Sequence, residues 1–555
     1  MALVRRVALV VLLGAAIPGG AQDEWQPLFD GTTLTGWRAS ENANSWRIEK
    51  GALVASGPRS HLYYIGDSQR ATFKNFVFEA EVMTRPGANS GIYFHSAYQA
   101  SGWPAKGLEV QINNTHVGDG EYRERRKTGS LYGIRNVYGQ VVPDNEWFRL
   151  NITVRGKQVR VLVNDQVTVD YTEPTPPAVE GEYKGRVVSD GTFALQAHDP
   201  HSTVLFRNIR ARRLPDDVQA TAPAPLVDDT YRELLRLSGA NFPVVDYHTH
   251  LKEALRLEDV LRRWREQGIY AGVAVNGGLT FPVSSDAGLE PFLREMRGKP
   301  VFVAFQAEGR EWVQLFSRNA LERFDYVFTD SMTWTDDSGK RMRLWIDREV
   351  GTIADPQKFM EMLVDRTVRI LNNEPIDIYV NPTFLPTQLA ARYDALWSVK
   401  RMERIVSALR ANGVAMEINS RYRIPSATFV KRARDAGVTF ACGTNNAGAQ
   451  DLGRMEYCIE MIRECGLTWR DMWVPPADGQ KAIQRKPLLV SRRVLIPFAV
   501  ERFQHAHERG HRGNSDQVER ASTPSQPRHA LRAASAAAKS VAASSASTDQ
   551  TNAPA

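Results

Sequence analysis

Asp246, His248 and His250 stand two residues apart in the run Asp246-Tyr-His-Thr-His250. On a strand that spacing puts all three on one face, and two imidazoles so placed can both reach one ion. Further along, other polar residues close short apolar runs: Asn276, Glu308, Asp330, Asn381, Glu417 with Asn419, and Asn445. In the first third of the chain a different chemistry is available. Glu109 and Gln111 alternate with Leu108, Val110 and Ile112, so both polar side chains turn away from the core, and Tyr93 and His95 have the same relation in the run before them. A carboxylate, an amide, a phenol and an imidazole on neighbouring strands can bind a sugar and move a proton. His198 follows a strand-like stretch, 193–197, and is the other candidate base. Trp103, in Ser101-Gly-Trp-Pro104, is the tryptophan placed to meet a ligand, whereas Trp25, Trp37, Trp46 and Trp147 read mostly as core.

Two kinds of element must position these groups. Residues 24–213 carry short period-two runs at 76–82, 91–95, 108–112, 148–154, 159–163 and 204–209, separated by turn sequences such as Arg85-Pro-Gly87. Many short alternating strands without helical periods predict an antiparallel sandwich. Residues 214–228, rich in Asp, Ala and Pro, read as a linker. From 229 to 480 apolar strands at 244–248, 270–275, 301–306, 326–329, 376–381, 414–418 and 438–442 alternate with amphipathic helices such as 257–267, 400–411 and 427–436. Seven strand-then-helix units predict a parallel barrel of the TIM type with one unit fewer, and an open doubly wound sheet is the alternative. In such a barrel the polar residues at the carboxyl ends of the strands converge on one mouth.

At 555 residues the chain exceeds what one hydrophobic core usually serves, which agrees with this division. Its net charge of +7 sits at the ends: two arginines and no acids in 1–21, nine Lys or Arg against five Asp or Glu in 491–555. The body between is near neutral, which argues against a nucleic-acid footprint. Residues 1–21 combine two arginines, an apolar run from Val7 to Ile17 and small residues before Ala21, the composition of a cleavable export signal. The expected product is periplasmic or secreted and free of membrane after cleavage, by a route the paired arginines do not specify. Residues 491–555, poor in aromatics, are expected to be disordered. Three cysteines, all in the second half, predict that packed cores rather than disulfides hold the fold.

The barrel segment resembles the polymerase and histidinol phosphatase (PHP) superfamily of metal-dependent phosphoesterases. The resemblance rests on Asp246-Tyr-His-Thr-His250, Gln306-Ala-Glu-Gly309, Met416-Glu-Ile-Asn-Ser420 and Gly443-Thr-Asn-Asn-Ala447 followed by Asp451-Leu-Gly-Arg454. It departs from that pattern where Asn381-Pro382 replaces His-Pro and Asn445-Asn446-Ala447 replaces the final Asp-x-His. The resemblance therefore implies at most a mononuclear divalent site, zinc, manganese or similar, on His248, His250, Glu308 and Asp330, or a barrel that has lost its metal.

The sandwich segment resembles the 3-keto-disaccharide hydrolase domain family, a concanavalin-like jelly roll. The motifs run in order: Pro27-Leu-Phe-Asp-Gly-Thr-Thr-Leu-Thr-Gly-Trp37, Pro86-Gly-Ala-Asn-Ser-Gly-Ile-Tyr-Phe-His95, Gly107-Leu-Glu-Val-Gln-Ile112, Thr128-Gly-Ser-Leu-Tyr-Gly133 and Leu195-Gln-Ala-His198. Membership implies work on glycosides whose C3 hydroxyl is oxidised to a ketone. That ketone acidifies the hydrogen at C2, so a base can remove it and expel the C1 aglycone, and water can then add back. Glu109 or His198 is the expected base, His95, Gln111 or a divalent ion the expected ketone contact, and Asn89, Tyr93, Trp103 and Tyr132 the expected substrate contacts. Three functions follow: an exported enzyme that cleaves 3-keto-glycosides with an accessory barrel, a metal-dependent hydrolase carrying a carbohydrate-binding sandwich, or a non-catalytic binding protein in which both parts have lost their chemistry.

Overall fold

The computed structural model describes residues 24–66, 71–336 and 338–488. The expectations for residues 1–21 and 491–555 lie outside them. Among the described residues, no helix is long and apolar enough to cross a membrane.

The first part is a sandwich of two antiparallel sheets. The larger sheet centres on Phe76–Thr84, which pairs with Phe148–Arg155 on one side and with Thr203–Arg213 on the other. Its inward residues, among them Phe76, Phe78, Ala80 and Val82, are fully buried, as strict alternation along a half-buried strand requires. The smaller sheet runs in the order Trp37–Ala39, Ser60–Tyr64, Thr192–Ala197, Asn89–Ser96, Leu108–Asn113. Its registers align Arg38, Tyr63, Ala194, Tyr93 and Glu109 across all five strands, with Gln196 opposite His61 and Gly91 opposite Gln111. These residues share the face that turns away from the sandwich core, so that face is lined with polar and aromatic groups.

The second part is a seven-stranded parallel sheet in sequential order, from Val245–His250 to Phe440–Gly443. The sheet curls until its ends nearly meet: the Asn445 amide donates to the His248 carbonyl at 2.8 Å. Helix Leu257–Gln267 is amphipathic, burying Leu257, Val260, Leu261 and Trp264, and it stops at Gly268 with φ +79°, a conformation that suits a residue without a Cβ. One expectation needs correction. Cys442 and Cys458 form a disulfide that ties the last strand to helix Glu456–Glu464, while Cys465 is free and buried, so one cross-link supplements the packed core.

The two parts are interlocked. Residues 214–228 run pinned along the sandwich: the Asn75 side chain donates to the Pro215 carbonyl at 2.9 Å and Thr172 Oγ1 to that of Ala222 at 2.9 Å. Helix Asp229–Gly239 then puts Tyr231 and Leu235 into the sandwich's hydrophobic core but Leu234 and Leu237 into the barrel's. In the other direction Val137 and Tyr138 of the sandwich pack into the barrel core. Arginines close the seam: Arg126 Nη2 donates to the Ser238 and Gly239 carbonyls at 3.1 and 2.9 Å, and Arg135 reaches Arg265 O and Glu266 O at 2.9 and 2.8 Å.

Candidate functional site

The outer face of the smaller sheet holds a continuous chain of contacts. At one end the Glu109 carboxylate accepts from Arg186 Nη1 at 3.1 Å and from Gln196 Nε2 at 3.4 Å; the same amide reaches the Tyr93 hydroxyl at 3.1 Å. Gly91 lies directly beneath: a Cβ there would stand 2.6 Å from Glu109 Oε1, so the glycine makes room for the carboxylate. The ring of Tyr93 stands edge-on to His61 at 5.4 Å, His61 to Trp103 at 5.6 Å, and Trp103 lies 5.3 Å from His198. His198 Nδ1 meets Asp199 Oδ2 at 2.7 Å, while Asp199 also accepts from the Ser202 hydroxyl at 2.8 Å and from two backbone amides. In the tautomer that donates from Nδ1 to this carboxylate the neutral ring carries its lone pair on Nε2, the arrangement that makes a histidine a proton acceptor. Exposed aromatic rings, Trp103, Tyr122 and Tyr98, rim this face.

Burial sets the electrostatics. His61 is fully buried, and among the described residues neither of its ring nitrogens, nor Gln196 Oε1, has a hydrogen-bond partner. Its burial, reinforced by the Arg59 charge, pushes its pKa down to about 4, so it is a neutral imidazole at ordinary pH. Burial and the neighbouring Glu109 charge hold the Tyr93 phenol far above its ordinary pKa.

The expected residues divide. Glu109, Tyr93, Trp103 and His198 belong to the contact chain just described. Gln111 donates to Asn89 Oδ1 at 2.9 Å, so those two satisfy one another at its edge. The Tyr132 hydroxyl is taken up by Arg126 and Glu124, and its ring lies 5.0 Å from the Arg186 guanidinium. His95 is a correction. Its backbone takes φ +55°, which breaks the alternation, and its ring packs 5.6 Å from Phe76 in the core. Nε2 donates to the Lys74 carbonyl at 2.8 Å and Nδ1 accepts from the Ser189 amide at 3.1 Å, so this histidine is structural. His61, Arg186 and Gln196 were missed. His61 and Tyr63 alternate in the run Ser60–Tyr64, and that pattern marks the same face as Tyr93.

His95 carries a pH prediction. Burial lowers its pKa from 6.5 to about 4, so the unfolded chain binds the extra proton first. The stability it contributes is fully present above pH 6.5 and is lost as pH falls toward 4, on the order of 3 kcal/mol at most. Urea unfolding followed across this window will show a shallower loss in His95→Gln than in the parent chain.

In the barrel the strand-end groups do converge. His250, Asn276, Glu308, Asp330, Asn381 and Asn445 face one cavity of about 560 Å³. Burial, and for Glu308 also the nearby Asp330 charge, pushes both carboxyls up. The metal site implied by the resemblance does not fit this arrangement. His248 Nδ1 lies 2.6 Å from Glu417 Oε1 and its Nε2 3.2 Å from Gln306 Oε1, so both nitrogens are engaged. His250 Nδ1 meets the Ala274 carbonyl, Glu308 accepts from Asn276 and Thr333, and Asp330 from Met332 N and Asn381. Among the described residues no three His, Cys, Asp or Glu side chains gather as ligands for one ion.

The described geometry is that of a two-sheet sandwich whose open face carries polar and aromatic groups. Residues 24–212 match the family model of the 3-keto-alpha-glucoside-1,2-lyase-like domain. No curated protein matches the chain. Among solved structures, the chain is similar to a Parabacteroides distasonis protein assigned to the glycosyl hydrolases, at 20% identity over 34% of this chain and 94% of that one, with a TM-score of 0.29. It is also similar to the carbohydrate-binding module CBM66 from Bacillus subtilis, at 16% identity over 32% of this chain and 95% of that one, with a TM-score of 0.23.

Proposed function

We propose that the sandwich cleaves 3-keto-glycosides and that the chain does so after export. The observation that carries this reading is the His198–Asp199 pair joined, through Trp103, His61 and Tyr93, to the Glu109–Arg186 pair on one face. The family match over residues 24–212 supports the substrate class.

In the proposed reaction the sugar stacks on Trp103 with its C2 hydrogen toward His198 Nε2. That nitrogen takes the proton; the C2–H electron pair becomes the enolate of the C3 ketone, then expels the aglycone oxygen from C1 as the C1–C2 double bond forms. The proton passes from His198 to the departing oxygen, and water adds to the double bond to give net hydrolysis. Asp199 holds the imidazole and offsets its transient charge. The Arg186 guanidinium and the neutral His61 ring supply donors for the enolate oxygen, and buried donors preorganised in this way act at low dielectric. Glu109 holds Arg186 through one oxygen, and its other oxygen, which accepts from Gln196 at 3.4 Å, has a second lone pair for a sugar hydroxyl. This corrects the expected role of His95, which the core keeps from the substrate.

The test is aglycone release from a chromogenic 3-keto-glucoside by the full chain, because the shared cores make separate halves unsafe to assay. If Glu109→Ala and His198→Ala together leave release intact, the reading fails. Trp103→Ala is expected to raise KM about tenfold with kcat nearly unchanged, since a stacking surface binds ground state and transition state alike.

A further inference from the structure

The barrel mouth is a cavity of about 560 Å³, and its lining is unlike a metal centre. Its floor carries Glu308 and Asp330, both buried, and between them stand the amides of Asn276, Asn381 and Asn445. Asn381 stands where the superfamily resemblance implies an imidazole and Asn445 where it implies a carboxylate, and the backbone is left-handed here: Asn381 and Asn445 take φ of +47° and +43°, and Thr383 takes +69°. Asparagine enters that region readily, but a β-branched residue such as Thr383 holds it only where the surroundings compel it, and such strain collects at ligand sites.

Charge narrows the ligand. Two carboxyls on the floor disfavour an anion. Lys252 and Arg421 at the rim donate to the Asn446 and Asn445 carbonyls at 3.1 Å each, and their charge disfavours a cation. What remains suited is a neutral molecule rich in hydroxyls, each of which can donate to a carboxylate or amide oxygen and accept from an amide N–H. The rim adds aromatic surface, Phe281, Tyr422 and the exposed Trp345, of the kind that covers the apolar face of a sugar ring. The volume lies within the range of small-molecule pockets. We infer that the barrel mouth is a second, metal-independent carbohydrate site that takes a neutral mono- or disaccharide.

The experiment is calorimetric titration of D-glucose and sucrose into the full chain with excess chelator present. A chain carrying Trp103→Ala and His198→Ala serves as parent, so that the sandwich face is silenced. Binding of either sugar is expected, and adding Trp345→Ala or Asp330→Asn is expected to weaken it at least tenfold. Trp345 is exposed, so its removal leaves a folded chain, which the melting temperature checks. Absence of binding by both sugars overturns the inference, as does binding that is indifferent to Trp345→Ala. So does tight uptake of zinc or manganese by the parent that is lost in His250→Ala. None of these outcomes bears on aglycone release, so failure here is distinguishable from failure of the proposed reaction.

Discussion

His198→Ala is expected to lower kcat/KM for a 3-keto-glucoside by roughly a hundredfold to ten-thousandfold, the range over which a positioned general base contributes. The loss falls mainly on kcat, because the proton is transferred only in the transition state. Asp199→Asn should retain the fold and lose part of the same effect, since an amide can still bond the ring but no longer offsets the imidazolium. Glu109→Gln tests a different step: it unpairs Arg186, 3.1 Å away, without removing a base. If Glu109→Gln abolishes release while His198→Ala is nearly silent, the roles of the two residues are reversed, and Glu109 takes the C2 proton. Release by single-turnover mixing separates these outcomes from changes in product departure.

The largest stability effect is expected at Arg126. Its guanidinium is buried beside the buried Glu124 carboxylate, bonds the Tyr132 hydroxyl at 2.9 Å, and caps two carbonyls of helix Asp229–Gly239. Arg126→Met strips the buried Glu124 carboxylate of its cation, leaving it the Tyr122 and Tyr132 hydroxyls and a backbone amide, and orphans those carbonyls. Removing one partner of a buried pair typically costs about 3 to 5 kcal/mol. Urea denaturation should show that loss as an earlier midpoint. The double variant Arg126→Met with Glu124→Gln should recover part of it, because the stranded charge is gone while the carbonyls remain uncapped. Sandwich and barrel should unfold together in a single transition, since Tyr231 and Leu235 belong to one core and Val137 and Tyr138 to the other.

Much of this architecture was legible in the sequence because hydrophobic period reports burial directly. Helix Leu257–Gln267 and strand Tyr326–Thr329 have the limits expected from their patterns. Alternation likewise put Glu109 and Tyr93 on one face, where the registers align them. Alternation failed at His95, because a single left-handed residue reverses the side and the pattern carries no trace of it. Arg186 was invisible for another reason: it sits in irregular chain and meets Glu109 across 77 residues, a pairing that only tertiary structure creates. In the barrel the histidines were easy to read as ligands, but spacing does not say what each ring nitrogen faces. Glu417 and Gln306 take both nitrogens of His248.

The helix that serves both cores also orders events in time. A chain is made from its N-terminus at about 5 to 20 residues per second, and domains usually fold as they emerge. Here the sandwich strands are complete at Arg213, yet the core they enclose lacks Tyr231 and Leu235, and Arg126 lacks the carbonyls of Ser238 and Gly239. The nascent sandwich therefore remains unfinished until roughly residue 240 is available, and Arg135 waits longer still for the carbonyls of Arg265 and Glu266. A ribosome stalled just past the last sandwich strand would hold a half-closed intermediate, whereas one stalled a few tens of residues later would hold a protease-resistant domain.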